Sequence, residues 1–91
     1  MTNIKNSWTI NEYYAVKDEL SQMFLTPALF SSEEEAKRAF KTQINTITLW
    51  KENSSDFSLY RVGTWNTETG ELTSKIEKII NGRSVLNWNK D

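Results

Sequence analysis

The segment Ser31-Ser32-Glu33-Glu34-Glu35 constrains this chain more than any other, because it is the clearest helix start in the sequence. Ser32 and Glu35 have the spacing of a capping box, in which hydroxyl and carboxylate satisfy backbone N–H groups reciprocally. Three carboxylates in one turn also suit the positive end of a helix dipole. Ala36, Ala39, Phe40, Ile44 and Ile47 then recur at helical spacing, with Lys37, Arg38 and Lys41 outside the apolar stripe. The spacing predicts a helix ending near Asn45, since Thr46 to Thr48 is β-branched and favours extended backbone.

Around that helix the sequence reads as strands. In the run from Trp8 to Lys17, Tyr14 and Val16 alternate with Tyr13 and Ala15, and the polar cluster Lys17 to Gln22 follows as a turn. Met23 to Phe30 is a second apolar run, which Pro27 assigns to a sheet edge or a bulge because proline lacks an N–H. Phe57 to Trp65 is aromatic and β-branched, and a turn from Asn66 to Gly70 leads to Glu71-Leu72-Thr73, with Gly70 suited to positive φ. Residues 75–80 and 83–88 flank Asn81-Gly82, the dipeptide of a two-residue hairpin turn, so a C-terminal hairpin is expected. A short helix over Ser74 to Ile80 competes, because Ser74 and Glu77 also have capping-box spacing and Gly82 could end it. The expected fold is α+β: one helix on a small, mostly antiparallel sheet, ordered strand, strand, helix, strand, strand, then the C-terminal hairpin.

Composition narrows the function. Ninety-one residues make a single domain, 1–91, and a chain of this length buries only roughly 60 to 65 per cent of its unfolded surface. The four tryptophans, four phenylalanines and three tyrosines must therefore supply much of the core. With no cysteine there is no disulfide and no thiolate nucleophile, which suits a reducing compartment. With no histidine either, the usual neutral-pH general base and the common zinc ligands are missing, and carboxylate chemistry needs a cleft that so short a chain rarely encloses. A protein that binds, without enzymatic activity and without a cofactor, is expected. No apolar run reaches signal-peptide or membrane-span length, so a cytosolic protein with no membrane partner is expected.

Three stretches carry a resemblance: YYAVKD at 13–18, PALFSSEEEAKRAF at 27–40 and DFSLYRVGTWNTETGEL at 56–72. The spaced residues Tyr14, Val16, Asp18, Pro27, Glu35, Ala36, Arg38, Ala39 and Phe40, then Asp56, Phe57, Leu59, Tyr60, Gly63, Trp65, Thr69 and Gly70, resemble the nonstructural protein of gokushoviruses, single-stranded DNA phages of the Microviridae. The similarity runs from about Tyr13 to Leu72; residues 1–12 and the tail beyond Asn87 lie outside the shared pattern. It implies a non-virion protein in the cytoplasm of the infected host, assisting phage DNA replication, notably the shift to single-stranded synthesis. It brings no binding residues with it.

The formal charge of −1 argues against strong nonspecific DNA binding, which rests on phosphate contacts by Lys and Arg. The distribution is uneven, however, since residues 36–51 hold Lys37, Arg38, Lys41 and Lys51 and no acid. Lys37 and Lys41 share a helix face with Arg38 beside them, either as a solvated surface balanced by Glu33 to Glu35 or as a phosphate-contacting ridge. Single-stranded nucleic acid is gripped by aromatic stacking over a basic groove, and Trp50, Tyr60, Trp65 and Trp88 are candidates by type. Phe40, Phe57 and Tyr60 are expected in the core. Strict alternation sets Ser58, Tyr60, Val62 and Thr64 on one face and Phe57, Leu59, Arg61, Gly63 and Trp65 on the other. Arg61 and Trp65 then form an open cation-and-aromatic surface if the helix covers the first face; if it covers the second, Arg61 must snorkel out at the edge. Two partner classes follow. Single-stranded DNA would be held by Lys37, Arg38, Lys41, Arg61 and Trp65; alternatively a host or phage replication protein is engaged, with a homodimer through an exposed edge strand.

Overall fold

The computed structural model describes residues 10–87. Strand β1 (Ile10–Asp18) is followed by the short β2 (Met23–Phe24) and β3 (Ala28–Phe30), helix α1 (Glu33–Thr46) and a short α2 (Thr48–Glu52). A 3-10 turn (Ser54–Asp56) then leads into β4 (Phe57–Asn66), β5 (Leu72–Asn81) and a one-turn helix α3 (Gly82–Val85). The expected α+β architecture is the one observed: an open antiparallel sheet ordered β2-β1-β4-β5, with β3 also on β1. β2 and β3 share the outer side of β1 and are separated around Pro27, which therefore lies at a sheet edge as its missing N–H requires.

Ser32 caps α1 by accepting from the Glu35 backbone N–H at 3.2 Å. The Glu35 carboxylate turns to the Ser31 hydroxyl instead, at 2.8 Å. Ala36, Phe40 and Ile44 are buried against Tyr14, Val16, Phe57 and Leu59 of the sheet, and Phe30, Trp50, Ile79 and Val85 close the rim. This small core lies wholly on one side of the sheet. The apolar stripe stops at Ile44, because Ile47 is exposed.

Two expectations fail here. Only Ile47 adopts extended backbone between the helices, and the chain re-enters a helix at Thr48. That turn brings the Trp50 ring flat against Phe57, centroids 4.6 Å apart, and the stacking outweighs the local β preference of Thr46 to Thr48. The described residues also form no hairpin about Asn81-Gly82, and no helix over Ser74 to Ile80. Residues 72–81 form one long strand paired with β4, and Asn81 ends it. The Asn81 side chain donates to the Ser55 carbonyl (3.0 Å) and the Ser58 hydroxyl (2.9 Å) while accepting from the Arg83 N–H (3.0 Å), which caps α3. Gly82 serves close packing: an added Cβ would fall inside the van der Waals shell of the Ser54 carbonyl oxygen and 2.6 Å from Ile44 Cδ1. Gly70 does adopt the positive φ expected of it, at 79°. No helix among the described residues is long and apolar enough to cross a membrane.

Candidate functional site

A bulge in β4 fixes which side chains share a face. Along β1 the partners run Tyr14 to Arg61 and then Tyr13 to Gly63, so Val62 is an extra residue without a partner on β1. The alternation therefore reverses at Val62. Arg61, opposite Tyr14 and Glu77, belongs to the helix-covered side; Trp65, opposite Asn11 and Leu72, belongs to the other. The expected shared surface of Arg61 and Trp65 does not exist. The core placement of Tyr60 is corrected too, since it lies with Phe24 on the side away from α1.

Arg61 is held where the helix edge meets the sheet. Its Nε and Nη2 donate to Glu77 at 3.0 and 2.6 Å, and Nη1 donates to the Tyr14 hydroxyl at 3.4 Å. Nη1 also lies 3.7 Å from Glu12 and 3.6 Å from Glu33, and the Tyr14 hydroxyl donates to Glu12 at 2.5 Å. The guanidinium holds the Glu77 carboxyl below its usual range. Burial, reinforced by the hydrogen bond to Glu12, pushes the Tyr14 phenol up to about 12. Three carboxylates thus surround one guanidinium, and these pairs hold Arg61 in place between the helix edge and the sheet.

Of the helix cations, Lys37 pairs with Glu33 one turn back at 3.3 Å. Arg38 and Lys41 are exposed on the outer surface of α1 and form no ion pair among the described residues. The five residues proposed from sequence thus separate into an outer helix ridge (Lys37, Arg38, Lys41), a buttress (Arg61) and a half-buried ring on the far side of the sheet (Trp65). Trp50 stacks in the rim of the core, and Trp88 lies outside the described residues.

The sequence reading missed the far side of the sheet as a surface. By alternation and register it presents Tyr13, Leu29, Val62, Trp65, Leu72 and Ile76, with Phe24, Tyr60, Lys17 and Lys78 toward one end. Leu29, Leu72 and Ile76 are 44%, 62% and 56% exposed. Tyr13, Pro27, Val62 and Leu72 line a shallow depression of about 360 Å³ there. At the basic end, Lys17 lies 5.4 Å from the Phe24 ring centroid and 5.7 Å from that of Tyr60, whose hydroxyl donates to Glu19 at 3.0 Å. Burial works against the charge of Glu19, but hydrogen bonds from Ser58 and Tyr60 and the charges of Lys78 and Lys17 outweigh it and lower its pKa. The cleft between α1 and the sheet holds only about 130 Å³, below the roughly 300 to 1,000 Å³ of small-molecule sites.

A family model described as Phage ORF5 protein matches residues 11–85, which take in all of the described sheet but Ile10 and all three described helices. The chain belongs to the Phage ORF5 protein family. As a member of it, this is a phage protein, and both the helix ridge and the open sheet face lie inside the matched range. No curated protein and no solved structure matches the chain.

Proposed function

We propose that this Phage ORF5 protein is a non-enzymatic accessory factor that works in the cytoplasm of the infected bacterium by binding protein through the uncovered face of its sheet. The observation that carries the reading is the one-sided core: α1 covers one face, while the other exposes Leu29, Leu72, Ile76 and Phe24 around Tyr13, Val62 and Trp65. Contiguous apolar surface of this kind, rimmed by charges such as Lys17, Glu19 and Lys78, marks interaction sites in folded proteins. Family membership, with the resemblance to gokushovirus nonstructural proteins over Tyr13 to Leu72, supports assigning the binding to replication or packaging of single-stranded phage DNA. A photo-crosslinking residue at position 76, introduced during infection, tests it. Covalent attachment to a protein is the expected result. Its absence, with the folded chain present in the lysate, removes the reading.

A second reading is direct contact with single-stranded DNA, favoured by the exposed Arg38 and Lys41, which form no ion pair among the described residues, beside Lys37. Such contact would be weak and strongly salt-dependent, with the logarithm of affinity falling by about 0.7 per phosphate contact for each logarithmic unit of salt. Replacing Lys37, Arg38 and Lys41 together by alanine should lower both the affinity for a labelled oligonucleotide and that slope, read by fluorescence anisotropy. No binding even at low salt excludes DNA as a direct ligand.

A further inference from the structure

The buried apolar set among the described residues is small: Tyr14, Ala15, Val16, Ala36, Phe40, Ile44, Phe57 and Leu59. Chains of this length bury a modest share of their surface, and small domains commonly gain the missing layer by association. Among the described residues the sheet has a helical layer on one face only. We infer that the open face is covered by a second copy of this chain, two sheets stacking through Tyr13, Leu29, Val62, Trp65, Leu72 and Ile76. The inference rests on the protein-binding reading of this face and names its occupant.

Size supports a second copy, and charge selects its arrangement. The molecule is a slab with Cα extents of 46 × 29 × 16 Å, and its broad face exceeds the roughly 800 Å² per partner that a stable interface buries. Charge is distributed unevenly along the strands. Lys17 and Lys78 flank the single carboxylate of Glu19 at one end of the face. Glu71 lies opposite Asn66 and next to Leu72 in the chain, so its side chain belongs to the helix-covered side, and the other end of the open face carries no lysine among the described residues. A two-fold axis parallel to the strands would bring the lysine ends of both copies together. An axis across the strands stacks β5 antiparallel on its counterpart and keeps the two lysine ends apart. Such a contact is isologous and self-complementary, as closed dimers require. The second arrangement is the one proposed, with the sheets about 10 Å apart and α1 of each copy facing outward. It leaves both Arg38–Lys41 ridges on the outside.

The edge strand is a poorer route to a dimer. β5 is the free edge beyond β4, but it is irregular against β4 in two places and carries Lys75, Glu77 and Lys78, devices that discourage strand addition.

Sedimentation equilibrium of the full chain across a wide concentration range is the test. The expected result is a species of twice the 10.6 kDa chain mass, lost in Ile76→Glu and Leu72→Glu variants whose circular dichroism shows an intact fold. In the otherwise cysteine-free chain, Lys78→Cys should form no disulfide with its counterpart across the dimer, because the two lysine ends lie apart. A purely monomeric wild-type protein, or a dimer that survives Ile76→Glu, overturns the inference. Ready disulfide formation between two copies of the Lys78→Cys variant overturns the antiparallel arrangement. A monomer that still crosslinks a different protein from position 76 sinks the second copy while leaving the face itself as the binding site; a monomer with no adduct sinks both.

Discussion

Arg61 grips Glu77 through two N–H groups, and this pair sets how the fold responds to acid. The folded-state pKa of Glu77 lies below its ordinary 4.5 because the guanidinium favours the carboxylate. A carboxyl with a depressed folded pKa contributes stability that is complete above the unfolded pKa and disappears as pH falls through the folded one. Glu19 is shifted in the same direction. Melting temperature followed by circular dichroism should therefore drop as pH falls below the normal carboxylate range, and less steeply in Glu77→Gln; equal acid slopes for variant and parent would refute the linkage. Tyr14 has the opposite sign. Its raised pKa makes its contribution complete below 10 and lost as pH rises through about 12. In an alkaline titration followed by phenolate absorbance, the highest component should lie near 12 and vanish in Tyr14→Phe. Neither partner set of Arg61 was legible in the sequence. Period-two alternation gave its face correctly as that of Phe57 and Leu59, but Glu12, Glu33 and Glu77 come from three separate elements that only the register brings together. The pairing of Arg61 with Trp65 failed because one unpaired residue, Val62, reverses every face beyond it.

Elements with strong local signals were readable, and those decided by distant contacts were not. The serine cap, the acidic first turn and the Ala36, Phe40, Ile44 stripe placed α1 almost to the residue. Asn81-Gly82 misled because its local preference is for a tight turn, whereas ten residues of β4 offer β5 a continuous partner. The two accounts differ in a measurable way. In a two-residue hairpin turn, Asn81→Gly would be tolerated, since both central positions favour glycine. In the fold observed, the same change costs little at the helix cap but also removes the hydrogen bonds to Ser55 and Ser58, for a loss of about 1–2 kcal/mol in denaturant unfolding. Gly82→Ala should cost about 1–3 kcal/mol by overpacking Ile44 and the Ser54 carbonyl. An Asn81→Gly protein as stable as the parent would argue for the turn.

For the molecule as a whole, the question is whether the folded unit is one chain or two. The amino-acid pattern gave a sheet with a single helix to cover it, and that alone implies a face without cover, although which residues occupy it depended on the bulge at Val62 and the irregular register of β5. If two copies share that face, unfolding separates them, and the stability of the folded state becomes tied to chain concentration by mass action. The melting temperature should then rise steadily with protein concentration. A monomer has no such dependence. Ile76→Glu, placing a carboxylate at the centre of the stacked faces, should give a lower melting temperature that no longer varies with concentration, because the folded chain would have lost its second layer but kept the core around Phe40 and Ile44. A wild-type melting temperature independent of concentration, throughout a range where sedimentation shows one species of single-chain mass, would mean that the Tyr14, Phe40 and Leu59 core is sufficient by itself. The open face would then be held for a different protein.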